Sequence, residues 1–363
     1  MATNDDEKKQ ATFAVVFDLD GVMHKGSSPI DGAVQALQRV SKVPHLFLTN
    51  SGGRTEQAKA EHLSKLLGTE IDWRRVIQAH TPMLDLLEEY RQKRLLVVAK
   101  SPESARHILD NYGYEQYVAV QEVAHRFPLL YPSKCYPAQH KENSNDDEQE
   151  VTKVASALNA DVGSLSSSRF LPFDAIFVLE VPTDWGESLQ VLCDAVRGNG
   201  DIFAIKQREQ QQSTTSELNG EEKQIPLFFA NPDVDYAAEF AVPRFTCGAF
   251  RLCLERLYLE VTGKQLKYTL LGKPHPFSYS FARRYLDRMA QEMGFSSLTT
   301  IYAIGDNPLS DIKGANQAGW FSILTRTGCF QSSEDNDRNH PAQFVCPSVV
   351  EAIDFILSRE SEK

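Results

Sequence analysis

"VVFDLDGVMH", residues 15–24, carries an apolar run straight into two carboxylates, Asp18 and Asp20, with Gly21 immediately after them. The run is strand-sized and unbroken by polar residues, the pattern of a strand buried on both faces of a parallel sheet. Two like charges at the end of such a strand repel each other and lose hydration. Both effects raise their pKa values, so the pair calls for something positive to share its site.

Working outward, "FAVVF" (13–17), "DGAVQALQRV" (31–40), "HLFLT" (45–49) and "TEQAKAEHLSKLLG" (55–68) alternate strand and helix patterns, which predicts an α/β fold with a parallel sheet and helices on both faces. The rhythm returns near the end, where "SLTTIYAIG" (297–305) gives way to a helix-like "SDIKGANQAG", a strand "FSILT" (321–325), a short "QFVC" and an amphipathic "SVVEAIDFIL". The material between has a different texture. It holds strand-like runs "RLLVVA", "YVAVQEV", "DAIFVL" and "PLFFA", and two polar stretches, 140–150 and 206–224, that read as surface loops or disorder. The expected organisation is a discontinuous core, 1–79 with 266–363, and an inserted α/β domain, 80–265. The insert's last helix is expected at "GAFRLCLERLYLEVTG", packing through Phe250, Leu254, Leu257 and Val261.

The chain of 363 residues is 42% hydrophobic, enough for about two domains with large cores. Its formal charge of −11 argues against nucleic acid as a partner. No apolar run approaches the roughly 18 residues of a membrane span. The start, "MATNDDEKKQ", resembles neither a secretory signal nor an Arg-rich transit peptide, so the expected location is the cytoplasm. The six cysteines form no CxxC pair or zinc-finger spacing and are expected as reduced thiols.

Ligands bind at the carboxyl ends of strands in an open parallel sheet, and other strands also end on polar residues. The second delivers Thr49 and Asn50, followed by Ser51 and Gly52; "IYAIG" delivers Asp306 and then Asp311; "LLGKPHP" adds Lys273. Four carboxylates against one ammonium remain strongly anionic, and Mg²⁺ is the natural counter-ion. A carboxylate in such a setting is also a covalent nucleophile for phosphoryl transfer, forming an aspartyl-phosphate.

"DLDGV", "LTNSGG", "GKP" and "GDNPLSD", in that order, resemble the four motifs of the haloacid dehalogenase (HAD) superfamily of phosphohydrolases. The long insertion between the second and third motifs resembles its subfamily IIA, and "PTDWGESLQVLCD", "FANPD", "PRFTCGAF" and "GKPHPFSYSFARRYL" resemble the cat-eye-syndrome-critical-region branch. The resemblance implies a HAD-like Rossmannoid core with an inserted type C2 cap, acting as a Mg²⁺-dependent phosphatase on a small phosphorylated metabolite. It implies Asp18 as nucleophile; Asp20 as general acid and base, with its main-chain carbonyl on the metal; Thr49 and the Asn50 amide on the phosphoryl group; and Lys273 as charge stabiliser. Asp306 is implied as a direct metal ligand and Asp311 as a second ligand or an orienting acid. Ser51 stands where many relatives have Asn, and with Gly52 it belongs to the expected phosphate loop. Asn231 and Asp233, in "ANPD", sit where the inserted domain would meet the core, and Asn231 is a further candidate substrate contact, although such a turn needs no substrate to justify it.

The alternatives are a phosphotransferase or mutase using the same aspartyl-phosphate, a receiver module, and a catalytically silent binding protein. The motif order and chain length argue against a receiver. Relatives of this branch are often linked to mitochondria, the alternative to a cytoplasmic location, and a homodimer through the cap is left open.

Overall fold

The structure, a computed structural model, describes residues 11–133, 172–214, 224–236, 240 and 242–363. The chain divides into two compact units, Met1–Met83 with Asn231–Thr246 and Leu270–Lys363, and Leu84–Ala230 with Cys247–Thr269.

The first unit is built on a six-stranded parallel sheet in the order Phe344–Cys346, Phe321–Thr325, Leu298–Gly305, Thr12–Phe17, His45–Leu48, Val76–Ile77. The strand that opens the sequence is central: Val15 pairs with Tyr302 on one side and His45 on the other. That position explains its unbroken apolar character, since neither face meets water. Val15, Phe17, Leu19 and Met23 are fully buried in a core shared with Leu63, Ile304, Val349, Ile353 and Ile356. Each such side chain contributes about 1.5–3 kcal/mol relative to exposure. The helix Val349–Ser361 brings its apolar stripe to that core, and its start is fixed by a capping box, Ser348 with Glu351.

The second unit has its own sheet, in the order Thr269–Leu270, Leu227–Phe229, Ala175–Val178, Leu95–Val98, Tyr117–Ala119; the last four strands are parallel. The two sheets with their helices bear out the α/β reading.

Several local expectations are corrected. In Cys247–Thr262 the buried stripe is Phe250, Leu254 and Tyr258, whereas Leu257 and Val261 are exposed. Tyr258, four residues beyond Leu254, takes the buried place instead. "YVAVQEV" is a strand only over Tyr117–Ala119 and continues as the helix Val120–Arg126, started by Glu122 accepting from the Ala119 amide. In the polar stretch 206–224, residues up to 214 belong to the helix Ile205–Thr214. Its Gln, Glu, Lys and Arg are good helix formers, and Arg197 reaches across to Glu209 at 2.6 Å. The rest of that stretch, 215–223, and the whole of 140–150 lie outside the described residues. Asn231–Thr246 groups with the first unit, where Asp233 accepts a hydrogen bond from Asn50.

Candidate active site

The central strand ends at Phe17, and the chain then makes a tight turn. Asp18 N–H still donates to Ile304 O at 2.9 Å, but Met23 and His24 turn their amides back onto Leu19 O, and Gly21 N–H donates to His24 O. Buried Leu19, Val22 and Met23 anchor the turn. Gly21 has φ +87°, and a Cβ there would collide with the Asp306 carboxylate and the Gly328 backbone. Only glycine satisfies both the left-handed conformation and the close approach. Gly305 and Gly328 are cramped by close approach alone, against Asp311 and Asp306 respectively.

Lys273 lies at the centre of the site. Its Nζ donates to Asp18 Oδ1 at 2.7 Å, Asp311 Oδ1 at 2.6 Å and Leu48 O at 2.7 Å, which uses all three ammonium protons. The Lys273–Pro274 peptide is cis. Asn50 clamps this segment: its Oδ1 accepts from Lys273 N and its Nδ2 donates to Lys273 O, both at 2.8 Å, and Nδ2 also donates to Asp233 Oδ2 at 2.9 Å. The Asn50 side chain is therefore committed to holding the lysine in place.

Asp311 lies within a π-helical turn, Pro308–Ile312, which points its carboxylate back at the strand end. Its Oδ2 accepts from the amides of Asp306 (3.1 Å) and Asn307 (3.0 Å). With Oδ1 on Lys273, both of its oxygens are engaged. Asp306 Oδ2 accepts from Cys329 N–H at 2.6 Å. Asp18 and Asp306 each keep one oxygen outside these hydrogen bonds.

Asp18, Asp306 and Asp311 are all buried, and each places a carboxylate oxygen within 4.8 Å of the others. Burial, reinforced by the neighbouring carboxylates and opposed by Lys273, holds Asp18 well above the usual carboxylate range. Burial and the Asp311 charge push Asp306 to about 7. Burial disfavours the charge on Lys273, yet Asp18 and Asp311 outweigh it and raise the lysine well above its ordinary value. Three buried acids against one ammonium leave a surplus of negative charge. A divalent cation taking oxygen ligands fits this donor set, with Asp306 supplying a free oxygen.

Asp20 stands apart from that cluster, its side chain 44% exposed and its Oδ1 3.8 Å from His24 Nε2. Thr49 is buried beyond the second strand; its Oγ1 lies 3.0 Å from Ser51 Oγ and accepts from Ser51 N–H at 3.1 Å. Gly52 is half-buried in the same loop. Asn231 turns inward on its own loop, where Oδ1 accepts from Asp233 N–H at 2.8 Å. The residue of that loop in contact with the site is Asp233, whose carboxyl burial pushes up to about 6. Two more groups near the acids were given no role from sequence. His24 is buried, with Nδ1 on Gly26 O at 3.1 Å, and burial lowers its pKa. Lys59, on the helix Glu56–Leu67, is buried with Nζ 3.1 Å from Ser51 Oγ.

Residues 15–115 match a family described as haloacid dehalogenase-like hydrolase, and residues 270–352 match a second, described as HAD-hydrolase-like. The chain is 30% identical to a mitochondrial hydrolase of Saccharomyces cerevisiae over 92% of both chains. It is also 30% identical to a Schizosaccharomyces pombe cardiolipin synthase/mitochondrial hydrolase fusion protein, over 94% of this chain and 52% of the fusion. Among solved structures, a glycerol phosphate phosphatase of Mycobacterium tuberculosis in complex with magnesium shares the fold with a TM-score of 0.59, at 18% identity, over 94% of this chain and 76% of that one. Among the described residues no helix is long and apolar enough to cross a membrane.

Proposed function

The chain belongs to the haloacid dehalogenase-like hydrolases, and within that family we propose that it is a Mg²⁺-dependent phosphatase that hydrolyses a small phosphorylated metabolite through a phosphoryl-enzyme at Asp18. The observation that carries this reading is the ammonium of Lys273 held between Asp18 and Asp311 inside a cluster of three buried carboxylates. Such a cluster is costly as a structural element alone, because desolvation of each ion costs several kcal/mol. It is suited to neutralising a phosphoryl group as charge shifts onto its oxygens.

Asp18 Oδ1 is tied to Lys273, so Oδ2 is the oxygen that attacks phosphorus. As the bond from Oδ2 to phosphorus forms, the ester bond breaks, and Asp20 gives its proton to the departing alkoxide. In the second half, Asp20 takes a proton from water, the hydroxide oxygen attacks phosphorus, and the bond to Asp18 breaks to release phosphate. The exposure of Asp20 supports this role, since it must exchange protons with alcohol and water while Asp18 stays buried. Thr49 donates its hydroxyl to a phosphoryl oxygen. Lys273 offsets charge on Asp18 and the transferring group, Asp311 fixes Lys273 and the turn after Asp306, and Asn50 with Asp233 keeps the lysine segment in register.

Asp18, Asp306 and the Asp20 carbonyl would hold Mg²⁺, which would supply positive charge between the nucleophile and the phosphate. Magnesium in the M. tuberculosis phosphatase of like fold supports the choice of ion. The mitochondrial relatives favour a mitochondrial location over the cytoplasmic one expected from the N-terminal residues.

The test is phosphate release from a panel of small esters, p-nitrophenyl phosphate, phosphoglycolate, glycerol phosphates, pyridoxal phosphate and nucleotides, with Mg²⁺ or EDTA. Metal-dependent release by the wild type and none by Asp18→Asn is the expected result. Release by Asp18→Asn at the wild-type rate overturns the nucleophile.

A further inference from the structure

Lys59 is a buried ammonium, 9% exposed, whose side-chain hydrogen bond goes to a neutral hydroxyl, Ser51 Oγ at 3.1 Å. An amphipathic helix ordinarily turns lysine to solvent. Here the buried face of Glu56–Leu67 reads Glu56, Lys59, Ala60, Leu63, Leu67, and burial lowers the lysine's pKa while the charges of Asp20 and, more weakly, Asp18 work the other way. A desolvated charge held on one hydroxyl is expensive, which points to work at the far end of the chain of hydrogen bonds that it starts.

That chain has a fixed direction. An ammonium can only donate, so Ser51 Oγ accepts from Lys59. Ser51 Oγ is 3.0 Å from Thr49 Oγ1, and Thr49 Oγ1 already accepts from Ser51 N–H at 3.1 Å. Aligned hydrogen bonds polarise one another. The cooperative arrangement therefore has the Ser51 hydroxyl donating to Thr49 Oγ1, which fills the acceptor positions of Thr49 and turns its own proton outward. The opposite order would leave Ser51 Oγ accepting twice and Thr49 without a proton to give.

We propose that Lys59 is a positioning residue that orders the Ser51–Thr49 hydroxyl chain, so that Thr49 presents its proton to the transferring phosphoryl group. This rests on the phosphatase reading above. It also gives Ser51 a function: a hydroxyl at this position relays the ammonium's polarity to Thr49. The cation works at a distance, through two oxygens, on the side of the site served by the second strand, whereas Lys273 acts on Asp18 directly.

The experiment is a double-mutant cycle on p-nitrophenyl phosphate hydrolysis with Mg²⁺, using wild type, Lys59→Met, Ser51→Ala and the double variant, with Asp18→Asn as the blank. Each single variant should lose about tenfold in kcat, the upper range for one hydrogen bond, and the double variant should lose no more than the worse single. Lys59→Arg, which keeps a donor of the same charge, should recover part of the loss. Multiplying losses, or Lys59→Met within twofold of wild type, would overturn the proposal. Should Lys59→Met fail to fold, Lys59→Ala takes its place in the same cycle with Ser51→Ala. Wild type as silent as Asp18→Asn would instead remove the phosphatase reading. The chain is then read in the affinity for inorganic phosphate by calorimetry, where Lys59→Met weakening it about fivefold sustains the ordering role and unchanged affinity refutes it.

Discussion

Replacing Lys273 by methionine keeps the length of the side chain and removes its charge, leaving Asp18 Oδ1, Asp311 Oδ1 and Leu48 O without their donor in a region where Lys273 itself is 3% exposed. Removing one partner of a buried ion pair costs about 3–5 kcal/mol, because the surviving charge stays desolvated. Here two carboxylates survive, which favours the upper part of that range, while proton uptake by Asp18, already held well above its ordinary value, limits the cost. Taking about 4 kcal/mol and the roughly 2–4 °C per kcal/mol of a domain this size, the melting temperature in EDTA should fall by about 8–16 °C. The sign of the pH dependence follows: a carboxyl with a raised folded pKa stabilises below its unfolded pKa and loses that contribution as pH rises. The deficit should therefore be smaller at pH 5 than at pH 8. In an Asp18→Asn background one of the stranded charges is gone, and the same substitution should cost at least about 1.5 kcal/mol less. Calorimetry of the four proteins in EDTA measures this. A Lys273→Met protein within about 1 kcal/mol of wild type, or fully additive losses, would refute the electrostatic account of the cluster.

Asp20→Asn should retain attack by Asp18 but slow both proton transfers, lowering turnover by about 10²–10⁴; intact-mass measurement after brief exposure to substrate should find a trapped phosphoryl-enzyme. Gly21→Ala should lose about 1–3 kcal/mol from its φ of +87°, and the collision with Asp306 should weaken Mg²⁺ binding more than it lowers the melting temperature, measurable by titration calorimetry. Because burial holds Asp306 near 7, metal must displace its proton, so Mg²⁺ affinity should fall about tenfold per unit as pH drops below about 7. Affinity that does not change between pH 5 and pH 8 would contradict that proton's presence.

Much of the site was legible because sheet geometry does the gathering. Asp18, Thr49 and Asp306 each follow an apolar run, so the carboxyl-end rule places them together without any knowledge of their separation in sequence. Asp233 was not legible as the contact: Asn231 and Asp233 share a turn, and only the fold shows that the carboxylate, not the amide, meets Asn50. Lys59 carried a signal that went unread. Spacings of three, four, seven and eleven residues from Glu56 reach Lys59, Ala60, Leu63 and Leu67, so two charges lie on what is otherwise an apolar stripe. The helix Ile205–Thr214 shows the complementary limit, where helix propensity outweighs a pattern of apolar and polar letters.

The central strand Thr12–Phe17 pairs on one side with His45–Leu48, made soon after it, and on the other with Leu298–Gly305. During vectorial synthesis the first pairing can form early, but the second must await nearly the whole chain. Until then an apolar strand presents a bare edge, a template for misassociation. Asp18 and Lys273, 255 residues apart, meet only at the close of that process, so premature termination would release a polypeptide that is at once inactive and adhesive, and chaperone demand should concentrate on nascent chains longer than the first pairing and shorter than the second.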